Sequence, residues 1–173
     1  MLVVKNNVRH DQFVLPNFVN LETIAVCLYL QNNTRLLFVS CCNPPDSLSL
    51  HSDLNSVVSS FDSVFLVGDL NCKHTAWNCI SVDRNGWKLL SYCLSQNNAI
   101  NYPDHPTYSH TSFQPSILDI TLSTAYCPNH CLSLHSPMTI TQWYLRFYYV
   151  PPFPNLIWFS IICMLTGQFS IPQ

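Results

Sequence analysis

Apolar and polar positions divide the first part of the chain into short blocks with different periods. "HDQFVL", 10–15, alternates enough to predict a short strand. "ETIAVCLYL", 22–30, is a β-branched run that ends in the polar turn Gln31-Asn32-Asn33. "RLLFVSCC", 35–42, predicts a second long strand, closed by Asn43-Pro44-Pro45, where proline forbids continuation. "SLHSDLNSVVSSF" places Leu50, Leu54, Val57 and Val58 at helical spacing. "SVFLVGDL" predicts a buried strand. "NGWKLLSYCLSQNN", 85–98, predicts a helix with a Gly entry and an apolar face of Trp87, Leu90, Cys93 and Leu94. "SILDITLS", 116–123, predicts another strand. Neighbouring strands followed by helix, strand, helix and strand imply an α+β (α/β) layered domain.

The pattern changes after Asp119, beyond which Arg146 is the only charged side chain. Residues 141–173 are aromatic, broken by prolines and without strand or helix periodicity. They are expected to form an aberrant apolar tail outside the preceding domain.

Composition narrows the class. The chain of 173 residues has room for one domain with a sizeable core. A formal net charge of −2 gives no global basic field of the kind that announces nucleic acid, although a local basic groove remains compatible with it. Charged residues make up 9% of the chain, far below the quarter usual in soluble domains, so poor solubility or an incomplete natural domain is expected. Nine cysteines at irregular spacing, with no secretory leader in "MLVVKNNVRHDQ", point to reduced thiols and an intracellular setting. No run reaches the roughly 20 apolar residues of a membrane span. The best candidate, "LIWFSIICML", 156–165, is half that length.

The chemistry concentrates in "FLVGDLNCKHTAWNC", 65–79. Residues i and i+2 of a strand share a face, so Asp69 and Asn71 are expected to project together beyond a rigid strand. Asp supplies a carboxylate that takes a proton from water or binds a hard cation. Asn supplies a neutral donor for a phosphoryl oxygen. Gly-Asp-x-Asn also makes an ordinary turn. Asp119, between Leu118 and Ile120, is costly unless it is paired, hydrogen-bonded or metal-bound. "FVSCCNPP" closes its strand with Asn43, and "CLSLHSPMTI" carries His135 before a proline-bounded run. Cys127, His130, Cys131 and His135 lie within nine positions and can be read as zinc ligands, but the spacing is not a standard knuckle and no second Cys pair is suitably placed.

In this order and spacing the motifs resemble the endonuclease/exonuclease/phosphatase superfamily, in particular the endonuclease domain of jockey-like non-LTR retrotransposons. The resemblance runs over roughly residues 2–140. It rests on Gly68-Asp69-Leu70-Asn71, Lys73-His74 and Trp77. Further support comes from Asn85-Gly86 with Leu89-Leu90, Pro106-Thr107-Tyr108, and Ser116 with Leu118-Asp119-Ile120. "NLETIAV" and "NPP" look like the family too. It implies a fragment of a four-layer α/β/β/α sandwich and Mg²⁺-assisted hydrolysis of DNA phosphodiesters. By this resemblance Asp69 orients or deprotonates the attacking water and Asn71 holds the phosphate. His135 stabilises developing charge, and Asp119 supports the site near it. Lys73, His74, Trp77 and Thr107 are implied to contact DNA; for the first three the alternative is a solvated loop with one packed Trp. The implied partners are DNA and a reverse transcriptase domain of the same polyprotein, with no membrane and with a nuclear location for the parent element.

The chain also departs from the family. The family's first, Asn-bearing strand and its metal-binding Glu have no counterpart here, and Glu22 lies in a different stretch. Cys42 stands where the family has a tyrosine before "NPP". Leu134 replaces the carboxylate that would orient His135. An unoriented imidazole loses tautomer control, so impaired activity is expected. The alternative is a decayed or co-opted non-catalytic remnant that binds nucleic acid or protein.

Overall fold

The structure, a computed structural model, describes residues 2–4, 8–30, 35–45, 50–110 and 113–124, together with the backbone of 130–135, 142–149 and 157–164. Four strands precede the first helix: β1 (Leu2–Val4), β2 (His10–Phe13), β3 (Glu22–Tyr29) and β4 (Arg35–Cys42). Helix α1 (Leu50–Val58), strand β5 (Val64–Asp69), a 3₁₀ turn (Thr75–Trp77) and helix α2 (Arg84–Gln96) follow. The remaining strands are β6 (Ala99–Asn101), β7 (Tyr108–His110), β8 (Phe113–Ser116), β9 (Asp119–Ser123), β10 (His130–His135), β11 (Gln142–Tyr149) and β12 (Ile157–Met164).

A six-stranded mixed sheet has the order β2-β3-β4-β5-β9-β6. Only β4 and β5 pair in parallel, which α1 makes possible as the crossover between them. The other neighbours run antiparallel. A four-stranded sheet has the order β1-β12-β11-β10, and β7-β8 form a separate hairpin.

Alternation along the central strands sends apolar side chains to both faces of the six-stranded sheet. On one face Leu37, Val39, Leu66, Ile120 and Leu122 pack with Leu50, Leu54 and Val57 of α1 and Leu89, Tyr92 and Cys93 of α2. On the other, Val26, Leu28, Phe38, Phe65 and Val67 pack with Leu2 and Val4 of β1. Phe38 and Phe65 are register partners and stack with centroids 5.6 Å apart. Burial on both faces explains why these strands read as near-continuous apolar runs. The layers are helix, sheet, sheet: the α+β sandwich expected from the sequence.

Two expectations are corrected. Helix α2 does not bury Trp87 and Leu94, which are 60% and 73% exposed. It buries Asn85, Gly86, Leu89, Tyr92 and Cys93. Gly86 sets this rotation. A Cβ there would be driven into the Lys73 carbonyl oxygen, so this side of the helix must face the loop, and Trp87, one residue on, turns outward. Residues 142–149 and 157–164, read as aperiodic, form paired strands at the centre of the four-stranded sheet. Stretches rich in aromatic and β-branched residues suit strands even without alternation. Among the described residues Cys27, Cys41, Cys42, Cys72, Cys79 and Cys93 are free thiols.

One buried carboxylate ties the helix layer to the sheet. Asp53 of α1 accepts hydrogen bonds from the backbone N–H groups of Asn20 (2.7 Å) and Leu21 (3.1 Å) and from Asn20 Nδ2 (3.3 Å). Burial pulls its pKa up, but these hydrogen bonds outweigh burial and leave it lowered. Its contribution is therefore present above its unfolded pKa and lost as pH falls through the folded one. Asp53→Ala, which strands two backbone donors, is expected to cost about 1–3 kcal/mol. Urea unfolding at pH 7 measures this, and the gap between the variant and the parent should narrow as the pH is lowered below 4.

Candidate active site

The site begins where β5 ends. Gly68 is the register partner of Cys41 on β4 and Ile120 on β9. Its φ is +154°, and a Cβ there would be driven into the Cys41 carbonyl oxygen. Only glycine lets β5 lie this close to β4. The next residue, Asp69, is then held opposite Asp119 on one side and Cys42 on the other, and Cys42 is opposite Glu22. Register partners share a face. Glu22, Cys42, Asp69 and Asp119 therefore form one transverse row across β3, β4, β5 and β9. By alternation it lies on the face that carries Phe38, Phe65 and Val67 deeper in, toward the other sheet.

The loop after β5 locks this row. Asn43 N–H donates to the Asp69 carbonyl (2.8 Å), and Asn43 Nδ2 donates to the Leu70 carbonyl (2.9 Å). Leu70 N–H reaches across to the Leu118 carbonyl at 3.0 Å. Asn71 adopts a left-handed conformation, φ 47°, which Asn tolerates better than most residues. Its backbone N–H donates to Asp69 Oδ1 (2.9 Å) and its Nδ2 to the Asn43 carbonyl (2.8 Å). The same-face argument for Asp69 and Asn71 is thus corrected: the strand ends at Asp69, and a turn brings Asn71 beside the carboxylate instead. One Nδ2 hydrogen is engaged; the amide's second hydrogen and its oxygen remain for other partners.

Thr107 positions the opposite carboxylate. Its Oγ1 accepts from Leu118 N–H (3.0 Å) and Asp119 N–H (3.1 Å), and its hydroxyl hydrogen-bonds the Asp119 side chain. The structure therefore shows Thr107 bracing Asp119, whereas the family resemblance suggested contact with DNA.

The electrostatics follow from two acids facing one another. Burial raises the Asp119 carboxyl to about 7; the Asp69 charge adds to the rise, and the Thr107 hydrogen bond opposes it. Burial also raises Asp69, opposed by the Asn71 N–H. The pair retains a proton into the neutral range, and Asp119 is the member that loses it last. Burial pushes the Cys42 thiol up to about 11, helped by Asp69, Glu22 and Asp119, so it stays protonated.

Lys73, His74 and Trp77 follow Asn71. Lys73 N–H donates to Asp83 Oδ2 (3.1 Å), and its carbonyl accepts from Asp83 N–H (3.0 Å), strapping the loop to the start of α2. Trp77 is fully buried and donates its Nε1–H to the Cys72 carbonyl (3.0 Å). His74 is buried too and accepts from Ala76 N–H through Nδ1 (3.0 Å). Neither ring offers a surface to DNA, because the turn that exposes the loop backbone folds both into the core.

His135 ends β10 opposite Tyr144. Its side chain, with those of Leu134, Cys127, His130 and Cys131, lies outside the described residues. Among the described residues no group of three metal-ligating side chains is gathered. No described helix is long and apolar enough to cross a membrane, which says nothing of a β-barrel.

A two-sheet sandwich with helices on its outer face and a carboxylate pair where β5 and β9 meet defines an α/β sandwich with an acidic site at its strand ends. The endonuclease-reverse transcriptase family model matches residues 36–140, and the chain belongs to that family. Among solved structures it resembles the endonuclease domain of TRAS1, a telomere-specific non-LTR retrotransposon. The TM-score is 0.64 at 16% identity, over 91% of this chain and 67% of that one. No curated protein matches it.

A carboxyl whose pKa is raised by folding stabilises the fold below its unfolded value and loses that contribution as pH rises through the folded one. For Asp119 the window runs from about 3.8 to about 7. Asp119→Asn is expected to remove much of the stability loss across this window and to be the more stable protein at pH 8, by about 1–3 kcal/mol. Urea midpoints at pH 5 and pH 8 measure it. A parent whose stability is flat between these values contradicts the raised carboxyl.

Proposed function

We propose that the chain is a DNA phosphodiesterase module of a jockey-like, LINE-type non-LTR retrotransposon, with impaired activity. The observation that carries this reading is the cross-strand Asp69–Asp119 pair, fixed by Gly68, Asn43, Asn71 and Thr107 at the edge of the inter-sheet face. Within this reading residues 1–140 are the endonuclease part, and 141–173 stand outside the family's pattern. The parent element works in the nucleus, and a reverse transcriptase shares its polyprotein.

Each residue has work it can do. Asp69, the first of the pair to ionise, accepts a proton from the attacking water. Asn71, held against Asp69, offers its second amide hydrogen to a phosphate oxygen. Asp119 and Thr107 hold Asp69 in register. His135 provides charge stabilisation from β10. The pair also fits Mg²⁺, which is commonly bound through one or two carboxylates plus waters and substrate phosphates. Asp69 and Asp119 would hold the ion, which supplies Lewis-acid polarisation of the phosphoryl oxygen when bound. Their raised pKa values mark charge that no cation among the described residues neutralises.

Leu134 and Cys42 favour a second reading, a remnant that binds DNA without cutting it. The two are separated by one experiment with supercoiled plasmid and Mg²⁺. The chain is expected to bind DNA with a strong salt dependence. Nicking is expected to be slow, and Asp69→Ala should abolish what remains. Equal nicking rates in parent and Asp69→Ala leave only the non-catalytic reading. Failure to bind DNA overturns both.

A further inference from the structure

We propose that Trp87, with Arg84 and Lys88, is a nucleobase-stacking platform for an unpaired base of the DNA, an inference that rests on the DNA-directed reading above. Trp87 lies in the first turns of α2 and is 60% exposed, while Trp77, the tryptophan of the GDLN loop, is fully buried. Arg84, Trp87 and Lys88 are spaced i, i+3, i+4 and share one face of the helix.

The ring is braced. His74 meets Trp87 edge to face, with centroids 4.8 Å apart and planes at 86°. His74 is itself fixed by Ala76 N–H at Nδ1 and by packing on Trp77, with centroids 5.3 Å apart. A ring held by buried neighbours loses little freedom when a base stacks on it, which is the condition for tight stacking. Because Nδ1 accepts, Nε2 carries the hydrogen, and this buried atom has no hydrogen-bond partner among the described residues.

Charge favours a polyanion as occupant. Lys73, Arg84 and Lys88 are three of the seven Lys and Arg residues in a chain of net charge −2. Asp83, the acid among them, has both oxygens engaged, Oδ1 by Gly86 N–H (2.6 Å) and Oδ2 by Lys73 N–H. The platform also lies close to the carboxylates. His74 is five residues from Asp69, a reach of at most about 19 Å at ~3.8 Å per residue. At ~3.4 Å per nucleotide, the stacked base lies within about seven nucleotides of the phosphate at Asp69.

The test measures binding of the full chain to a fluorescein-labelled 20-nucleotide single strand and its duplex by anisotropy, at several salt concentrations. Trp87→Ala is expected to weaken single-strand binding about 5- to 100-fold, with an unchanged salt slope and a smaller effect on intact duplex. Trp87→Phe should retain most of the affinity, and Arg84→Ala should lower the salt slope by about one. An abasic site scanned along the strand should, at one position, cost the parent what Trp87→Ala costs and cost the variant nothing. Urea midpoints control for folding. If the parent binds DNA and Trp87→Ala binds as tightly, the platform is wrong and the DNA reading stands. If Trp87→Ala abolishes self-association while DNA affinity is unchanged, the face is an interface between copies instead. If the parent binds no DNA, both readings fall.

Discussion

The site depends on the absence of a single atom. At Gly68 the backbone of β5 lies against the Cys41 carbonyl with no room for a Cβ. This contact fixes how closely β5 approaches β4. The register of β5 against both β4 and β9 then carries Asp69 into line with Cys42 and Asp119. No side-chain interaction in the site works unless that approach is made first. The same logic recurs at Gly86, whose missing Cβ admits the Lys73 carbonyl and sets the rotation of α2. One glycine places the acids, and the other places the loop that flanks them.

The core explains why Asp69 and Asp119 are only partly exposed to water. The row of Glu22, Cys42, Asp69 and Asp119 stands on the same face as Val26, Phe38 and Phe65. Between them lies a row containing Ser40, Val67 and Thr121, with Thr121 fully buried and its hydroxyl without a partner among the described residues. Polarity therefore falls from the strand ends into the sandwich. A gradient of this kind desolvates the carboxylates partially and raises their pKa values without burying them outright.

Much of the fold was legible because its elements are strongly patterned. The strands at 22–29, 35–42 and 64–69 and both helices fall where the apolar runs and turn residues place them. Asp69 and Asp119 were legible as candidates because an acid inside an apolar strand demands a reason. What sequence could not carry was register. The offset that brings Glu22 and Cys42 into line with the two acids depends on pairing between strands, and no local pattern encodes it. Helix phase failed for a related reason. Trp87 and Leu94 look apolar enough to be buried, and the deciding contact is a backbone carbonyl of a distant loop against Gly86. Trp87 was therefore misassigned and lies outside, whereas Trp77, for which a packed position was one of two readings, is inside. Residue chemistry alone gave Thr107 no role, and its role comes from where β9 begins.

The carboxylate pair shows where stability and chemistry oppose each other. Two acids in register at a cross-strand position repel when both ionise, and burial adds to that cost. A fold under no other constraint would replace one of them with a neutral residue. This one instead surrounds the pair with groups that hold its geometry. Asn71 and Asn43 fix the Asp69 side, and Thr107 fixes the Asp119 side. These hydrogen bonds oppose the rise in pKa without cancelling it, so the pair stays under-compensated. Arrangements of this kind concentrate where a cation or a proton is to be received. The hydrogen bonds on β5 and β9 thus hold a geometry that stability alone would not select.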